Sequence, residues 1–349
     1  MNTHTIGKAM IETAVKHGFK EMREDPKRSM RRLADLGRQF SKSRFQDDIF
    51  SVIQEVLQKE DSAYYTMIEN ALANINEESL ETFGINVGYN AWVCGARSLR
   101  RDEIRTGHAL PDTLLLRYDA GCTDGLTIPV LDQLIRQGSE LGIFFYFIQE
   151  TGTASDSYEL LDLFQKYPEC AFVYARSTGR LTAAQIQVLK MLHNTLILLP
   201  DEDPETLLTA QLLQDQKVLY SISFRYSGLE DCQRRFESAI QHALSLESTF
   251  FVGIADDSVG RGEVDEIAKF CYQERLEQEY SSILIDYYGD TAALTRKIMG
   301  HGYLLELGAD GSVLAPDTAR GQKYTDQTDL SQFLRDVMPC IDVSGITEK

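Results

Sequence analysis

The chain has no apolar run approaching the ~18–20 residues of a membrane span. Its first nineteen residues lack the apolar core and cleavage site of a secretory signal. No CxxC pair occurs. The six cysteines, Cys94, Cys122, Cys170, Cys232, Cys271 and Cys340, lie far apart. That spacing argues against a disulfide framework and a structural zinc site, and it predicts a reducing, cytoplasmic setting. The P-loop, a GxGxxG opening a helix, HExxH and GxSxG are all missing. The six histidines, at 4, 17, 108, 193, 242 and 301, are isolated in sequence, and no pattern pairs any of them with Cys122. Basic charge is also short: 35 Lys and Arg stand against 53 Asp and Glu, for a net charge of -18. A body this acidic repels phosphate backbones, which excludes bulk nucleic-acid binding.

What is present is a soluble globular composition, 43% apolar and 25% charged over 349 residues. The charge is uneven. Residues 1–44 hold eleven Lys and Arg and five Asp and Glu, near +6, and the remainder is near -24. A basic segment of this kind is either a solvated helix face or a peripheral contact with an anionic membrane or an acidic partner.

The first hundred residues carry a helical period. Ile11, Ala14, Val15, Gly18, Phe19 and Met22 form one stripe. Asp25 and Pro26 read as a cap with proline at the first helical position. Met30, Leu33, Ala34, Gly37 and Phe40 form a second stripe, Ile49, Ile53, Val56 and Leu57 a third, and Tyr64, Met67, Ile68, Ala71, Leu72 and Ile75 a fourth. After about residue 110 short apolar runs alternate with helical stretches. Strands are predicted at 113–118, 142–148, 171–175, 195–199, 218–224 and 250–254, each followed by a helix. This alternation predicts a parallel sheet covered by helices, a partial TIM-like (βα)6 barrel in the α/β class. A further strand is expected at 283–287 before a helix at 292–299. A hairpin follows at 303–315, turning on Ala309-Asp310-Gly311, and a last helix at 330–337. The predicted organisation is a helical extension at 1–110, the barrel at 111–300, and a hairpin with a helix at 301–349.

Working residues of parallel α/β folds sit in the loops after the strands. Here those loops offer Asp119, Cys122, Asp124, Glu150, Arg176, Asp201, Arg225, Asp256 and Asp257 as a candidate ligand-binding rim. The same residue types also cap the helices that follow such strands. Cys170 and Cys271 read as small core side chains.

Several stretches resemble the radical S-adenosylmethionine enzymes, in particular a subgroup with an N-terminal helical extension. They are Pro111-Asp-Thr-Leu-Leu-Leu-Arg-Tyr-Asp-Ala-Gly-Cys122, Leu131-Asp-Gln-Leu-Ile-Arg-Gln-Gly-Ser-Glu-Leu-Gly-Ile-Phe-Phe-Tyr-Phe, Leu160-Leu-Asp-Leu-Phe-Gln-Lys-Tyr-Pro-Glu-Cys-Ala-Phe-Val, Gln216-Lys-Val-Leu-Tyr-Ser-Ile-Ser-Phe, Tyr303-Leu-Leu-Glu-Leu-Gly-Ala-Asp-Gly-Ser-Val and Glu24-Asp-Pro-Lys-Arg-Ser-Met-Arg-Arg-Leu-Ala-Asp. The resemblance implies a [4Fe–4S] cluster held by CxxxCxxC after the first strand. This chain has Cys122 alone there. The GGEP-like stretch after the second strand is replaced by Glu150-Thr151-Gly152-Thr153, the segment between Leu199 and Val218 is short, and Ala315-Pro316 stands where a cysteine often follows the hairpin. One thiolate cannot hold the cluster, and without it S-adenosylmethionine has no electron source. The expectation is therefore a degenerate, non-catalytic member without iron–sulfur cluster or S-adenosylmethionine. It would serve as an accessory or regulatory subunit, or a scaffold, for an active relative. The competing expectation is a repurposed barrel that binds a metal or a small cationic ligand at its acidic rim, with or without a non-radical activity.

Overall fold

The structure is a computed structural model that describes residues 59–152, 158–314 and 321–342, with residues 13, 15–18, 20, 21, 28 and 29 ahead of them. Residues 13, 15–18, 20 and 21 are helical, within the first predicted stripe. The stripes at 30–40 and 49–57 lie outside the described residues. The fourth stripe forms α1 (Tyr64–Asn74), followed by α2 (Glu77–Ile85), a π-helical segment (Asn86–Gly95) and α3 (Ala96–Thr106). Asn76 caps α2 by accepting from the Glu78 backbone N–H at 2.8 Å. Gly107, at φ +72°, ends α3 in the left-handed conformation that glycine adopts without a Cβ penalty.

The sheet and its covering helices then follow in strict alternation. They run β1 (Thr113–Tyr118), α4 (Ile128–Leu141), β2 (Phe145–Glu150), α5 (Tyr158–Gln165), β3 (Ala171–Ala175), α6 (Ala183–Met191), β4 (Thr195–Pro200), α7 (Thr206–Asp215), β5 (Tyr220–Tyr226), α8 (Leu229–Ser245), β6 (Phe250–Ala255), α9 (Arg261–Glu277), β7 (Ile283–Asp286), α10 (Tyr287–Met299), β8 (Leu305–Leu307) and α11 (Leu330–Val337). All eight strands are parallel, in the order β7-β6-β5-β4-β3-β2-β1-β8. The predicted partial barrel is therefore present, with eight strands in its sheet where the sequence reading counted six. The seventh expected strand extends one edge beside β6. The first strand of the expected hairpin extends the other edge, where Leu305, Glu306 and Leu307 pair with Leu114, Leu115 and Leu116. The hairpin also forms. Leu307 and Val313 make an antiparallel bridge, and Gly311 takes φ +78° in the turn. Pairing of β8 explains itself: β1 is buried almost throughout, and a bare edge there would leave its backbone groups without partners.

Successive side chains on each strand point to opposite faces, so two apolar layers form. Leu114, Leu116, Ile148, Phe172, Ile197, Ile222 and Phe251 pack outward against the helices. Leu115, Phe147, Val173, Leu198 and Val252 pack inward with Tyr287 and Leu304. The inner layer proves the curl. Phe147 on β2 meets Tyr287, the first residue of α10 after β7, with ring centroids 3.9 Å apart. Glycine allows a close approach of the N-terminal helices: a Cβ on Gly95 would lie 2.1 Å from the Gly142 carbonyl oxygen. The N-terminal helices are tied to the sheet by Asn86 Nδ2, which donates to the carbonyls of Pro168 and Cys170 at 2.8 and 2.9 Å, and by Asn90 Nδ2, which donates to that of Glu169 at 3.0 Å. Among the described residues no helix is long and apolar enough to cross a membrane.

Candidate functional site

The inward register that carries the apolar layer ends, at the carboxyl side of the strands, in a polar one. Arg117 is the inward residue two beyond Leu115, Gln149 two beyond Phe147, and Glu306 pairs with Leu115 across β8. Arg117 Nε donates to Glu306 Oε1 at 2.9 Å, and its Nη1 lies 2.7 Å from Asp257 Oδ1, in the loop after β6. With its amide oxygen turned inward, Gln149 accepts from Arg225 Nη2 at 3.1 Å and Nη1 at 3.2 Å, joining β2 to β5. Arg225 Nη1 lies 3.8 Å from Asp256 Oδ1. The lumen is thus crossed by paired side chains from four strands and the loop after β6.

A cavity of about 360 Å³ remains beside this network, lined by Arg117, Asp256, Asp257, Asp286, Tyr287 and Glu306 among others. Burial pushes the Glu306 carboxyl above its ordinary range, and Arg117 pulls it back. Burial likewise raises Asp286 to about 6, against hydrogen bonds from the Tyr226 hydroxyl and the Gly289 backbone N–H. The Tyr226 hydroxyl is held far above the usual phenol range by burial and by the Asp286 charge.

The residues expected at the rim divide into three groups. Arg225, Asp256 and Asp257 meet at the mouth, as described. Glu150 and Arg176 face outward and form a separate buried pair, each side chain 1% exposed, with Arg176 Nε 3.6 Å from Glu150 Oε2. Tyr174 donates its hydroxyl to Glu150 Oε1 at 3.0 Å, and Ser177 donates N–H and Oγ–H to Oε2 at 3.1 Å each, so this pair pins the ends of β2 and β3 together. Asp201 likewise turns away, to His242 Nδ1 on α8 at 2.5 Å. Asp119, Cys122 and Asp124 sit in the loop between β1 and α4. There Asp119 Oδ1 accepts from the Gly121 backbone N–H at 2.8 Å, Cys122 is half-buried, and Asp124 is exposed. Leu126 anchors the loop by donating to the Ala309 carbonyl at 2.8 Å. Arg117, Gln149, Tyr287 and Glu306 were not among the candidates. Their signal was available: Arg117 and Glu306 are single charges inside apolar strands, on the register of the inner face.

All six cysteines lie among the described residues. Cys122 alone is in a strand-to-helix loop at the mouth. Cys94 is on the π-helical segment, Cys340 follows α11, and Cys170 is buried before β3, with its thiol pushed up to about 12 by burial. Cys232 and Cys271 are buried neighbours on α8 and α9, where their contact and burial raise the Cys271 thiol far above its ordinary value. Among the described residues no group of three His, Cys, Asp or Glu side chains is placed to hold a metal ion. The thiols are thus dispersed, with Cys122 in the loop after β1.

No protein-family model matches the chain, and no curated protein does. Solved structures with a similar course include SuiB from Streptococcus suis bound to S-adenosylmethionine. It is 9% identical, with a TM-score of 0.48, and the match covers 68% of this chain and 66% of that one, just under two thirds of its length. A second is native anSMEcpe with bound AdoMet, 12% identical, with a TM-score of 0.40 and coverage of 63% of this chain and 80% of the other. A third is an enolase-superfamily member from Enterococcus faecalis, 14% identical, with a TM-score of 0.33 and coverage of 82% and 75%.

Proposed function

We propose that this chain is a non-catalytic barrel of the radical S-adenosylmethionine type that acts as an accessory or regulatory subunit, or a scaffold, for an active relative. The supporting observation is the dispersal of the cysteines. A barrel packed on both faces keeps one thiol at the mouth, and the other five are distributed over the N-terminal helices, the covering helices, the start of β3 and the segment after α11. The paired side chains across the lumen agree with this reading, because they fill space that a substrate would need.

Two measurements test it. Anaerobic reconstitution with iron and sulfide is expected to leave less than one cluster per chain and no cleavage of S-adenosylmethionine. Four irons per chain together with cleavage would overturn the reading. A tagged chain purified from its own cells is expected to bring down an active relative in fixed ratio. Recovery of the chain alone would remove the accessory role.

The second reading is a repurposed barrel that takes a small cationic ligand or a metal at its mouth. It is favoured by one feature, the cavity walled by Asp256, Asp257, Asp286 and Glu306. A thermal-shift screen with divalent metals, arginine, spermidine and S-adenosylmethionine separates the two. A saturable shift that is lost in Glu306→Gln supports this reading, and flat responses throughout support the first.

A further inference from the structure

Cys340 is the exposed cysteine of the six. It follows α11 and pairs with His108 in an isolated antiparallel bridge. Ala109 N–H donates to the Pro339 carbonyl at 2.9 Å, and Ile341 N–H to that of Gly107 at 3.0 Å, so the two segments are fixed in register. Directly opposed residues on paired strands project to the same side. Cys340 Sγ accordingly lies 3.5 Å from His108 Nε2.

The ring orientation is determined by a third group. His108 Nδ1 is 2.9 Å from the Thr106 carbonyl oxygen. A carbonyl oxygen only accepts, so Nδ1 carries the proton, and in the neutral ring the lone pair of Nε2 faces the sulfur. A thiol, an adjacent base and a group orienting that base form the arrangement of an activated nucleophile.

We propose that Cys340, with His108 as its base, is a thiol-modification site that exchanges with low-molecular-weight disulfides. His108 Nε2 takes the thiol proton as Sγ attacks one sulfur of the small disulfide. A bond forms between Cys340 and that sulfur, the original S–S bond breaks, and the leaving thiolate takes the proton from His108. Cys340 is oxidised to a mixed disulfide, and the small disulfide is reduced to one thiol. The site lies on the seam between the end of α3 and the segment after α11, and it is independent of the accessory-subunit reading.

The test uses the full-length chain, folded, with glutathione disulfide as probe and peptide mass mapping to locate the adduct. The expected result is glutathione on Cys340 well before Cys94 or Cys122, the two half-buried thiols. His108→Gln is expected to slow the Cys340 adduct at least about tenfold at neutral pH, since it removes the base. Unchanged circular dichroism and melting of the variant would show that the bridge is kept. Earlier labelling of Cys94 or Cys122 in the unmodified chain overturns the proposal without any variant. So does a Cys340 rate in His108→Gln equal to that of the parent.

Discussion

Asp112 gives the sharpest test of the energetics. It precedes β1, is 1% exposed, and accepts from Thr295 Oγ1 at 2.6 Å through Oδ1, while Oδ2 is buried with no hydrogen-bond partner. Burial, with a smaller push from the Glu103 charge, raises its carboxyl from 3.8 to about 6; the Thr295 hydrogen bond and His301 pull the other way. A shift near 2 units corresponds to about 3 kcal/mol. The sign follows from which state holds the proton. Between about pH 4 and 6 the folded chain keeps a proton that the unfolded chain loses. Stability from this group is complete below the unfolded value and lost as pH rises through the folded one. Asp112→Asn removes the titration, retains an acceptor for Thr295, and replaces the unpartnered oxygen with an amide. It is expected to exceed the parent by about 3 kcal/mol at pH 8, by about 2 kcal/mol at pH 5.5, and by under about 1 kcal/mol at pH 4. In melting terms the pH 8 gain is about 4 °C for a chain of 349 residues. Urea denaturation of both proteins at the three pH values reads the difference directly. A gap that does not change with pH, or an Asn variant less stable at pH 8, refutes the reasoning.

Three further outcomes are expected from the same contacts. Arg176→Met strands the Glu150 carboxylate in a site 1% exposed and should cost about 3–5 kcal/mol in urea denaturation, with most of that recovered in the Arg176→Met, Glu150→Gln double variant; equal losses in both would show that the pair is not electrostatic in origin. Asp286→Ala removes the α10 cap on Gly289 and leaves the buried Tyr226 hydroxyl without its acceptor, for an expected loss of about 2–4 kcal/mol. Gly95→Ala would bring a Cβ to 2.1 Å from a backbone carbonyl and should destabilise by about 1–3 kcal/mol, whereas Gly88→Ala, in the same helical segment with nothing within 4 Å, should be neutral or stabilising by up to about 1 kcal/mol.

The barrel was legible because its strands are continuous apolar runs. A run such as Thr113–Tyr118, buried on both faces, fits a central strand of a parallel sheet. That the last two expected strands join the same sheet was not legible. Leu305–Leu307 is three residues long, and nothing in three residues tells whether they pair only with the hairpin or also with a strand almost two hundred positions earlier. Site residues were read from the loops, where polar side chains are expected for several reasons at once. Glu150 and Arg176 fit the loop rule and yet face the helices, because the strand period carries them to the outer register. Arg117 and Glu306 broke the apolar pattern of their own strands, which is a sharper signal than position after a strand. The Cys340–His108 contact joins residues 232 positions apart through a bridge of irregular segments, and no local pattern encodes it.

The polar layer at the mouth also constrains what any ligand would have to displace. Arg117 already satisfies Glu306, which is 8% exposed, and reaches Asp257; Gln149 already joins Arg225. A cationic ligand entering beside Glu306 competes with an arginine held by a hydrogen bond of 2.9 Å, and an anionic one meets Asp256, Asp257 and Asp286 first. Either must release a paired group into a low-dielectric lumen, and a buried charge without its partner costs several kcal/mol. The same pairs tie β1 to β8 and β2 to β5, so they also maintain the curl that the apolar layer begins at Phe147 and Tyr287. The mouth residues are thus engaged with one another, beside a cavity of about 360 Å³. A saturable, Glu306-dependent ligand response would therefore show that this network opens, and it would count directly against the accessory-subunit reading proposed above.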